Sequence, residues 1–421
     1  MGSQSYPMKV LAEPRPISAA AAPAATAGVR ADARFDVALA IARDLQSLEP
    51  EWRRFEQYAD ATVFQSFDWL SLWHRHIGVK HGVRVAVVLA HGPAGELLFV
   101  LPLAVTPGPI RRLTFLGDGL CDYNAPLLAP DFSSRLRPRE FAPLWARVRA
   151  LVQHEPDLKH DVVELTQMPE MVGAQANPFV QLQVGLNPSG AHLTQLAGAW
   201  DEFYTARRSS GTRRRDRTKL KRLAEHGEVR LVDPTDMADI ARTLETLIDQ
   251  KSQAFARMGV QNLFARPGYR DFFLDLATSP RTRHLVHVSR LEVGTTWAAV
   301  NLGLTFRDTY YHVLASYGDG EVARFGPGAA HLRDLLRRAI GLGFRRFDFT
   351  IGDERYKFEW SDTEMQLYDH VAAATFRGWP QVFLALAFRR LKRLIKQSPV
   401  LWRSFSLLRA KSASLRPPGD A

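Results

Sequence analysis

The sequence predicts an α/β (α+β) protein made of two lobes, each with a mixed sheet flanked by helices. Short alternating apolar runs, typical of strands, are interspersed with segments that repeat apolar residues every three to four positions, typical of helices. The order of these segments is similar on either side of the turn-forming stretch 187–190. The length of 421 residues, with 46% hydrophobic and 24% charged residues, fits a soluble globular protein of one or two domains.

The elements follow from these patterns in chain order. In the first lobe we expect helices at 52–58 and 69–77, strands at 83–90, 97–106 and 113–116, a helix at 140–154 and a strand at 162–165. In the second lobe we expect helices at 199–208 and 213–226, a strand at 229–232, helices at 235–257 and 267–278, strands at 284–291, 295–306 and 309–317, a helix at 329–342 and a strand at 347–351. No sequence repeat relates the two lobes.

The predicted organisation has four parts. They are an Ala/Pro-rich disordered leader (1–33), a first lobe (34–188), a second lobe (189–375) and a basic amphipathic tail (376–421). No secretory signal and no membrane span are expected, because no apolar stretch is long enough. The single cysteine, Cys121, excludes an intramolecular disulfide and fits a cytoplasmic location; we expect it to be inert.

The most informative stretch is 347–360. Alternating apolar residues predict a buried strand, which a Gly-Asp turn ends at Gly352. Acidic, basic and tyrosine side chains follow at once, and a buried strand that ends in such a cluster commonly presents polar groups at a cleft. A network of salt bridges at the strand end is the alternative interpretation.

A second informative stretch is the Gly-rich loop between the strand 309–317 and the helix 329–342. Unpaired N–H groups and the helix dipole favour an anion at the start of such a helix, and glycine lets a phosphate approach the backbone. An ordinary Pro/Gly helix start is the alternative.

With these two motifs, the region 191–374 resembles the GNAT-type acyltransferase domain of the CelD/BcsL group, bacterial proteins linked to cellulose and other exopolysaccharide biosynthesis and distantly related to Fem peptidyltransferases. The resemblance implies tandem GNAT-like lobes, as in Fem-type proteins. It also implies a pyrophosphate loop of pattern Arg/Gln-x-x-Gly-x-Gly/Ala, in which Arg324, Pro327 and Ala329 occupy the three defined places. Proline at the first glycine position removes an N–H donor. The sequence Tyr356-Lys357-x-x-Trp360 resembles the Phe-Lys-x-x-Phe motif of Fem enzymes.

The resemblance implies acyl-CoA (acetyl-CoA) as co-substrate, and no metal is expected, because the sequence has no metal-ligand spacing. The predicted CoA-binding residues are Arg324, Phe325, Gly326, Gly328, Ala329 and Ala330. Direct acyl transfer needs a base for the acceptor proton and groups that stabilise an oxyanion. The predicted catalytic residues are Asp348, Lys357, His312, Glu354 and Tyr356. Trp69 lies in a segment similar to the opening helix of the CelD/BcsL group and is a predicted substrate-binding residue.

The net charge of +11 is concentrated in two segments. Residues 207–222 contain nine Lys/Arg and one Asp, and residues after His370 contain ten Lys/Arg and one Asp, so these segments carry +8 and +9 and the remainder carries −6. Arg213, Arg214 and Arg217 in the first segment are predicted to bind a phosphate-bearing substrate; a solvated basic helix and a nucleic-acid contact are alternatives. The second segment predicts a basic amphipathic helix at 379–411, broken at Ser398-Pro399, which either lies on an anionic membrane or packs on the enzyme.

The predicted function is acyl transfer from acyl-CoA to an amine or hydroxyl of a glycan, lipid or small-molecule acceptor in polysaccharide or envelope biosynthesis, in the cytoplasm or peripherally at the inner membrane. Two alternatives remain open at this point. One is Fem-like transfer from an aminoacyl-tRNA, with the basic helix as tRNA contact, and the other is a non-catalytic scaffold of a polysaccharide synthase. Metal-ligand spacings, a Walker A sequence, a Rossmann fingerprint and a Gly-x-Ser-x-Gly elbow are absent from the sequence.

Overall fold

A computed structural model describes residues 37–397, which belong to one compact unit. The strands are β1 Ala38–Ala42, β2 Arg84–His91, β3 Leu97–Thr106, β4 Arg112–Phe115, β5 Leu127–Leu128, β6 Val162–Pro169, β7 Met171–Val172, β8 Gln175–Ala176, β9 Gly185–Leu186, β10 Ala191–Gln195, β11 Val229–Val232, β12 Val286–Val293, β13 Thr296–Phe306, β14 Thr309–Tyr317, β15 Arg346–Ile351, β16 Thr363–Met365 and β17 Leu367–Ala373. The α-helices are α1 Leu45–Glu56, α2 Phe67–Trp73, α3 Phe132–Arg135, α4 Pro138–His154, α5 Trp200–Arg207, α6 Ser210–Ala224, α7 Met237–Met258, α8 Tyr269–Thr278, α9 Pro327–Gly341, α10 Arg355–Trp360 and α11 Trp379–Gln397.

Two large mixed sheets form the framework, as the sequence predicts. The first has the order β1-β2-β3-β4-β6-β17-β9, with β5 paired to β3, and the second has the order β11-β12-β13-β14-β15-β10-β16. Each contains a parallel pair among antiparallel neighbours, β4–β6 in the first and β14–β15 in the second. The long predicted helices and strands are confirmed within a few residues, because strong apolar periodicity defines them.

The strand β17 belongs to the first sheet although it follows the second in the chain. It pairs antiparallel with β6 along almost its whole length. The sequence predicts that the second lobe extends to residue 375, whereas in the structure the chain returns to the first sheet at Leu367. The pattern did not predict β17, β10 or α10, because these short elements gain their hydrogen bonds and burial from neighbours distant in sequence.

The two sheets share one hydrophobic core. The ring of Phe64 is in edge-to-face contact with Trp69 and Tyr123 of the first lobe and with Tyr311 of the second. All four side chains are at most 6% exposed. A loop of the first lobe is therefore held firmly against the strands of the second.

Candidate active site

A cleft opens where the two parallel strands of the second sheet separate. The register of β14 with β15 ends at Tyr311 and Asp348, although β14 continues to Tyr317 and β15 to Ile351. Beyond this point the strands border a cavity of 540 Å³. The side chains and backbone that line it belong to Asp122, Arg208, Asp216, Lys251, His312, Val313, Ala315, Ser316, Tyr317, Ala323, Gly326, Pro327, Gly328, Ala329, His331, Leu332, Leu335, Thr350, Ile351, Glu354, Tyr356, Lys357, Glu359 and Trp360.

The predicted lysine lies in this cleft and is almost fully buried. Lys357, 4% exposed, donates from Nζ to the carbonyl of Ile351 (2.6 Å), and its Nζ is 3.1 Å from the Glu354 carboxylate. Gly352 makes the arrangement feasible, because its φ is +135° and a Cβ there would come within 2.8 Å of Nζ. The turn after β15 therefore places a buried cation, paired with the Glu354 carboxylate, at the cavity wall.

A carboxyl group from the first lobe lines the same cleft as Lys357. Asp122 lies in the loop 117–124 and lines the cavity. Burial raises its pKa to about 7, while a hydrogen bond with Thr350 and the charge of Lys357 act in the opposite direction. A carboxyl that titrates near neutral pH in a cleft is suited to accept a proton.

Asp348 does not line the cavity. Its Oδ1 accepts hydrogen bonds from the hydroxyl of Tyr123 (2.6 Å) and from the backbone N–H of Thr350 (2.7 Å). Burial raises its pKa to about 6, although both hydrogen bonds act to lower it. Asp348 therefore binds Tyr123, the chain neighbour of Asp122, and Thr350, the hydrogen-bond partner of Asp122. This makes Asp348 a positioning residue for the Asp122–Thr350 contact, in contrast to the direct catalytic role predicted from the sequence.

Thr350 has a strained backbone at this point. Its φ of +61° is unusual for a β-branched residue. The strain coincides with an irregular register between β10 and β15 at His192 and Leu193. Backbone strain of this kind concentrates at functional sites, where surrounding contacts maintain it.

His312 and Tyr356, both predicted to be catalytic, line the cavity, but their environments keep both neutral. Burial lowers the pKa of His312 to about 3, helped by Lys357, and Asn301 in its best-bonded orientation donates to His312 Nε2 (3.2 Å). Burial raises the pKa of Tyr356. His312 is therefore a weak base at neutral pH, and Tyr356 keeps its proton and can donate a hydrogen bond.

Lys251 is a second cation in the cleft that the sequence analysis did not single out. It extends from α7 into the cavity, and its ammonium group makes no hydrogen bond or ion pair within residues 37–397. Burial lowers its pKa, while Glu354 opposes that effect. Neither Lys251 nor Asp122 could be found from local sequence, because one lies on an ordinary amphipathic helix and the other in a turn-rich loop.

The start of α9 forms another wall of the cleft. Gly326 caps the helix with φ +72°, and the amides of Ala329 and Ala330 donate back to its carbonyl (3.1 and 3.2 Å). Since Pro327 has no N–H, Gly328 alone in the segment 326–330 keeps a backbone N–H without a partner in the described part of the chain. The donor set is thus smaller than the predicted series of amides.

The remaining predicted CoA residues lie outside the cavity lining. Arg324 is exposed, 3.7 Å from the Glu321 carboxylate, and its guanidinium stacks on Phe325. Phe325 packs with a small apolar cluster, and Ala330 is buried in the same cluster. The loop residues that line the cleft are therefore Gly326, Gly328 and Ala329.

The basic helix α6 lies beside this loop. Lys219 Nζ is 3.6 Å from the position that a Cβ would have on Gly326. Arg213 instead donates to the carbonyls of Arg208 (2.8 Å) and Thr205 (3.2 Å) at the end of α5. The side chains of Arg214 and Arg217 make no hydrogen bond or ion pair with the part of the chain that the structure covers, and none of these three arginines lines the cavity.

Trp69 is a core residue. It is 0% exposed, and its indole N–H points to the sulfur of Cys121 at 3.3 Å. The sequence prediction of a substrate contact at Trp69 therefore does not fit its position in the fold. Cys121 is likewise buried, and burial raises the pKa of its thiol, so the structure agrees with an unreactive side chain.

Between residues 37 and 397 there is no group of three or more His, Cys, Asp or Glu side chains that could hold a metal ion. In the same range no helix is both long and apolar enough to cross a membrane.

Comparison with known proteins gives a family match within the second lobe. Residues 210–358 match the family described as acetyltransferase (GNAT) domain. The chain is similar to the crystal structure of FemX, with 10% identity, a TM-score of 0.52 and coverage of 77% of this chain and 96% of that chain. It is also similar to a tandem GNAT protein from the clavulanic acid biosynthesis pathway, with 12% identity, a TM-score of 0.45 and coverage of 81% and 99%. The sequence matches none of the curated proteins.

These comparisons confirm the predicted GNAT domain, and the likeness to FemX shows a shared fold. They do not test the finer assignment to the CelD/BcsL group, which stays a prediction.

Proposed function

We propose that this protein, an acyltransferase with a GNAT domain, transfers an acyl group from acyl-CoA to an amine or hydroxyl acceptor bound between its two lobes. The observation that carries the proposal is the cleft at the separated strands. It brings a buried lysine, a second lysine and a carboxyl with a pKa of about 7 to one cavity beside a helix N-terminus. This is the combination that proton removal and charge stabilisation require.

The residues at the start of α9 fit an acyl donor that carries a phosphate. They offer fewer hydrogen-bond donors to it than the family pattern does. Gly328 offers an unpaired N–H at the positive end of the helix dipole, and a Cβ there would be 3.3 Å from the Tyr317 ring, so a side chain at 328 would crowd this approach. Lys219 adds a positive charge next to Gly326. These three features would hold the pyrophosphate, and acyl-CoA would supply an activated thioester.

The chain's own residues would then act on the acceptor. Asp122, ionised above about pH 7, accepts the proton of the attacking amine or hydroxyl. Lys357 and Lys251 line the same cavity and stabilise negative charge that develops on the acyl oxygen. Tyr356, which keeps its proton, is a further hydrogen-bond donor in the cleft.

Fem-like transfer from an aminoacyl-tRNA is the second candidate. The feature that favours it is the outer face of α6, where Arg214 and Arg217 have no protein partner in the described chain and could contact a polyanion. The two candidates differ in their donor, since only the first needs acyl-CoA. The GNAT match supports an acyltransferase and argues against a non-catalytic scaffold.

The biological setting that we propose is polysaccharide or cell-envelope biosynthesis, in the cytoplasm or at the inner face of the membrane. It rests on the resemblance of the segment 347–360 to the CelD/BcsL closing motif. The acceptor would be a glycan, a lipid-linked sugar or a small amine.

The donor is tested by calorimetry with acetyl-CoA on wild type, Gly328→Leu and the matched control Gly341→Leu. Gly341 lies in the same helix and has open space around it. We expect Gly328→Leu to lose binding at least about tenfold, because the side chain blocks the free amide, and Gly341→Leu to bind as wild type. Equal affinity in both variants would contradict the role of the Gly328 amide. No binding of acetyl-CoA by the wild type would contradict the proposal as a whole and favour the tRNA-dependent reaction.

A further inference from the structure

The helix α11 has two unlike faces, and the outer one is apolar. Val382 is buried, and Arg389 bonds the Glu164 carboxylate of β6 (2.8 Å) and lies 3.6 Å from the Asp369 carboxylate of β17, so one face docks on these two strands of the first sheet. The sequence alone is compatible with packing on the enzyme and with contact to a membrane, and the structure shows that one face packs.

The other face exposes large hydrophobic side chains in an unbroken stretch. From 376 to 388 the exposed ones are Phe376 (89%), Trp379 (63%), Phe383 (73%), Leu384 (61%), Leu386 (44%) and Phe388 (65%). No charged residue occurs between Arg377 and Arg389. An exposed apolar patch of this density marks an interaction surface.

The charge of the surrounding sequence indicates what this surface meets. Ten Lys/Arg and no Asp or Glu occur from 371 to 419. A second copy of the chain would bring two such segments together, and their like charges would repel. An anionic surface would attract the cations while it receives the apolar side chains.

We infer that the outer face of α11 docks on an anionic phospholipid bilayer, with Phe383 and Phe388 in the interface. The face is too short to span and the helix is anchored to the sheet, so the contact is peripheral. The inference does not depend on the acyl-transfer proposal, because it uses none of the residues in the cleft.

The test is flotation of the full chain with vesicles of phosphatidylcholine alone or with 30% (roughly one lipid in three) phosphatidylglycerol, for wild type and Phe383→Ser/Phe388→Ser. The matched control is Tyr58→Ser, which removes an exposed aromatic ring (56%) from α1's end of the first lobe. We expect wild type and Tyr58→Ser to bind anionic vesicles, to detach in about 0.5 M salt, and to bind at least about tenfold more tightly than the double variant.

Equal binding by wild type and the double variant, or equal binding to both vesicle types, would overturn the inference. A wild-type dimer in solution that the double variant abolishes would show that a second copy covers the face. A double variant with a clearly lower Tm would show that the chain's own terminal segments cover it. Acetyl-CoA binding, measured on the same samples, is expected to be unchanged, so failure here is separable from failure of the proposed function.

Discussion

Each lobe contains a pair of parallel strands that separate after a short paired stretch, β4 and β6 in the first lobe and β14 and β15 in the second. The gap between the strands is filled by the chain in the first lobe and forms a cavity in the second. In the second lobe β14 and β15 part after Asp348 and border the 540 Å³ cavity. In the first lobe β4 and β6 are paired only at Arg112–Leu113 and Val162–Val163, and the chain itself then occupies the place beside β6. The backbone and side-chain amides of Asn124 donate to Gln167 (3.0 Å) and Thr166 (3.0 Å).

The backbone at the two separations is similarly strained. Gln167 in β6 has φ +56° and Thr350 in β15 has φ +61°. Both strands also pair with a neighbour of irregular register, β17 in the first sheet and β10 in the second. One framework therefore serves two purposes. The loop that fills the gap in the first lobe carries Asp122, and Asp122 lines the cavity between the separated strands of the second lobe.

The largest effect is expected from Lys357→Met, which keeps the stem and removes the buried charge. We expect turnover to fall about 30- to 1000-fold, because a group that stabilises transition-state charge contributes about 2–4 kcal/mol. Thiol release from acetyl-CoA with a panel of amine and hydroxyl acceptors is the measurement. The control Lys80→Met removes a cation of a surface ion pair with Asp271. Turnover unchanged in Lys357→Met, or reduced equally in both variants, would refute a catalytic role for the open separation.

Asp122→Asn tests whether the filled lobe supplies the base. Because the pKa of Asp122 is raised to about 7, the wild-type rate should rise with pH up to about 7 and then level off. The rate of the variant should no longer rise with pH in this range, and above pH 7 it should be about 100-fold lower than that of the wild type. The control Asn124→Ala removes a structural hydrogen bond of the same loop; it should lower the free energy of unfolding by about 1–3 kcal/mol and keep the pH profile.

The same pKa shift predicts a stability change of known sign. The folded protein holds the Asp122 proton more tightly than the unfolded chain, whose pKa is about 4. The stability from this group is therefore present below pH 4 and declines as the pH rises to about 7. Denaturant unfolding of wild type and Asp122→Asn should diverge over this range, with the variant relatively more stable at pH 8. A constant difference across pH would mean that Asp122 titrates normally.

The smallest effects are expected from glycine at the two strained positions. Gln167→Gly should stabilise the protein by up to about 1 kcal/mol, since glycine adopts a positive φ without strain and no side-chain contact at 167 is needed for the cleft. Thr350→Gly relieves the same strain but loses the hydrogen bond with Asp122, so its net stability change should be smaller and its pH profile shifted. Identical behaviour of the two variants would mean that the two separations are equivalent.

Much of the framework was determined locally. Periodic apolar residues define α4, α7, α8, α9 and the long strands, and the Gly352 turn defines where β15 ends, because these signals depend on neighbours three or four residues away. The same local reasoning placed Lys357, Glu354, His312, Tyr356 and the α9 loop residues at a site, and all of them line one cavity apart from Arg324, Phe325 and Ala330.

Only the tertiary structure decided which groups share that cavity and in which charge state. Asp122 and Lys251 are 129 positions apart in the sequence. The strand β17 belongs to the first sheet although it follows the second sheet in the chain, so the order of strands in the sheets differs from their order in the sequence. The pKa of a carboxyl group depends on burial and on charges from elements distant in sequence. The alternating pattern in β15 therefore predicted a functional residue at Asp348, but only the fold shows that this carboxyl is buried and bonded to Tyr123. Local sequence determines which element forms, whereas long-range packing decides which face of that element meets solvent, substrate or another lobe.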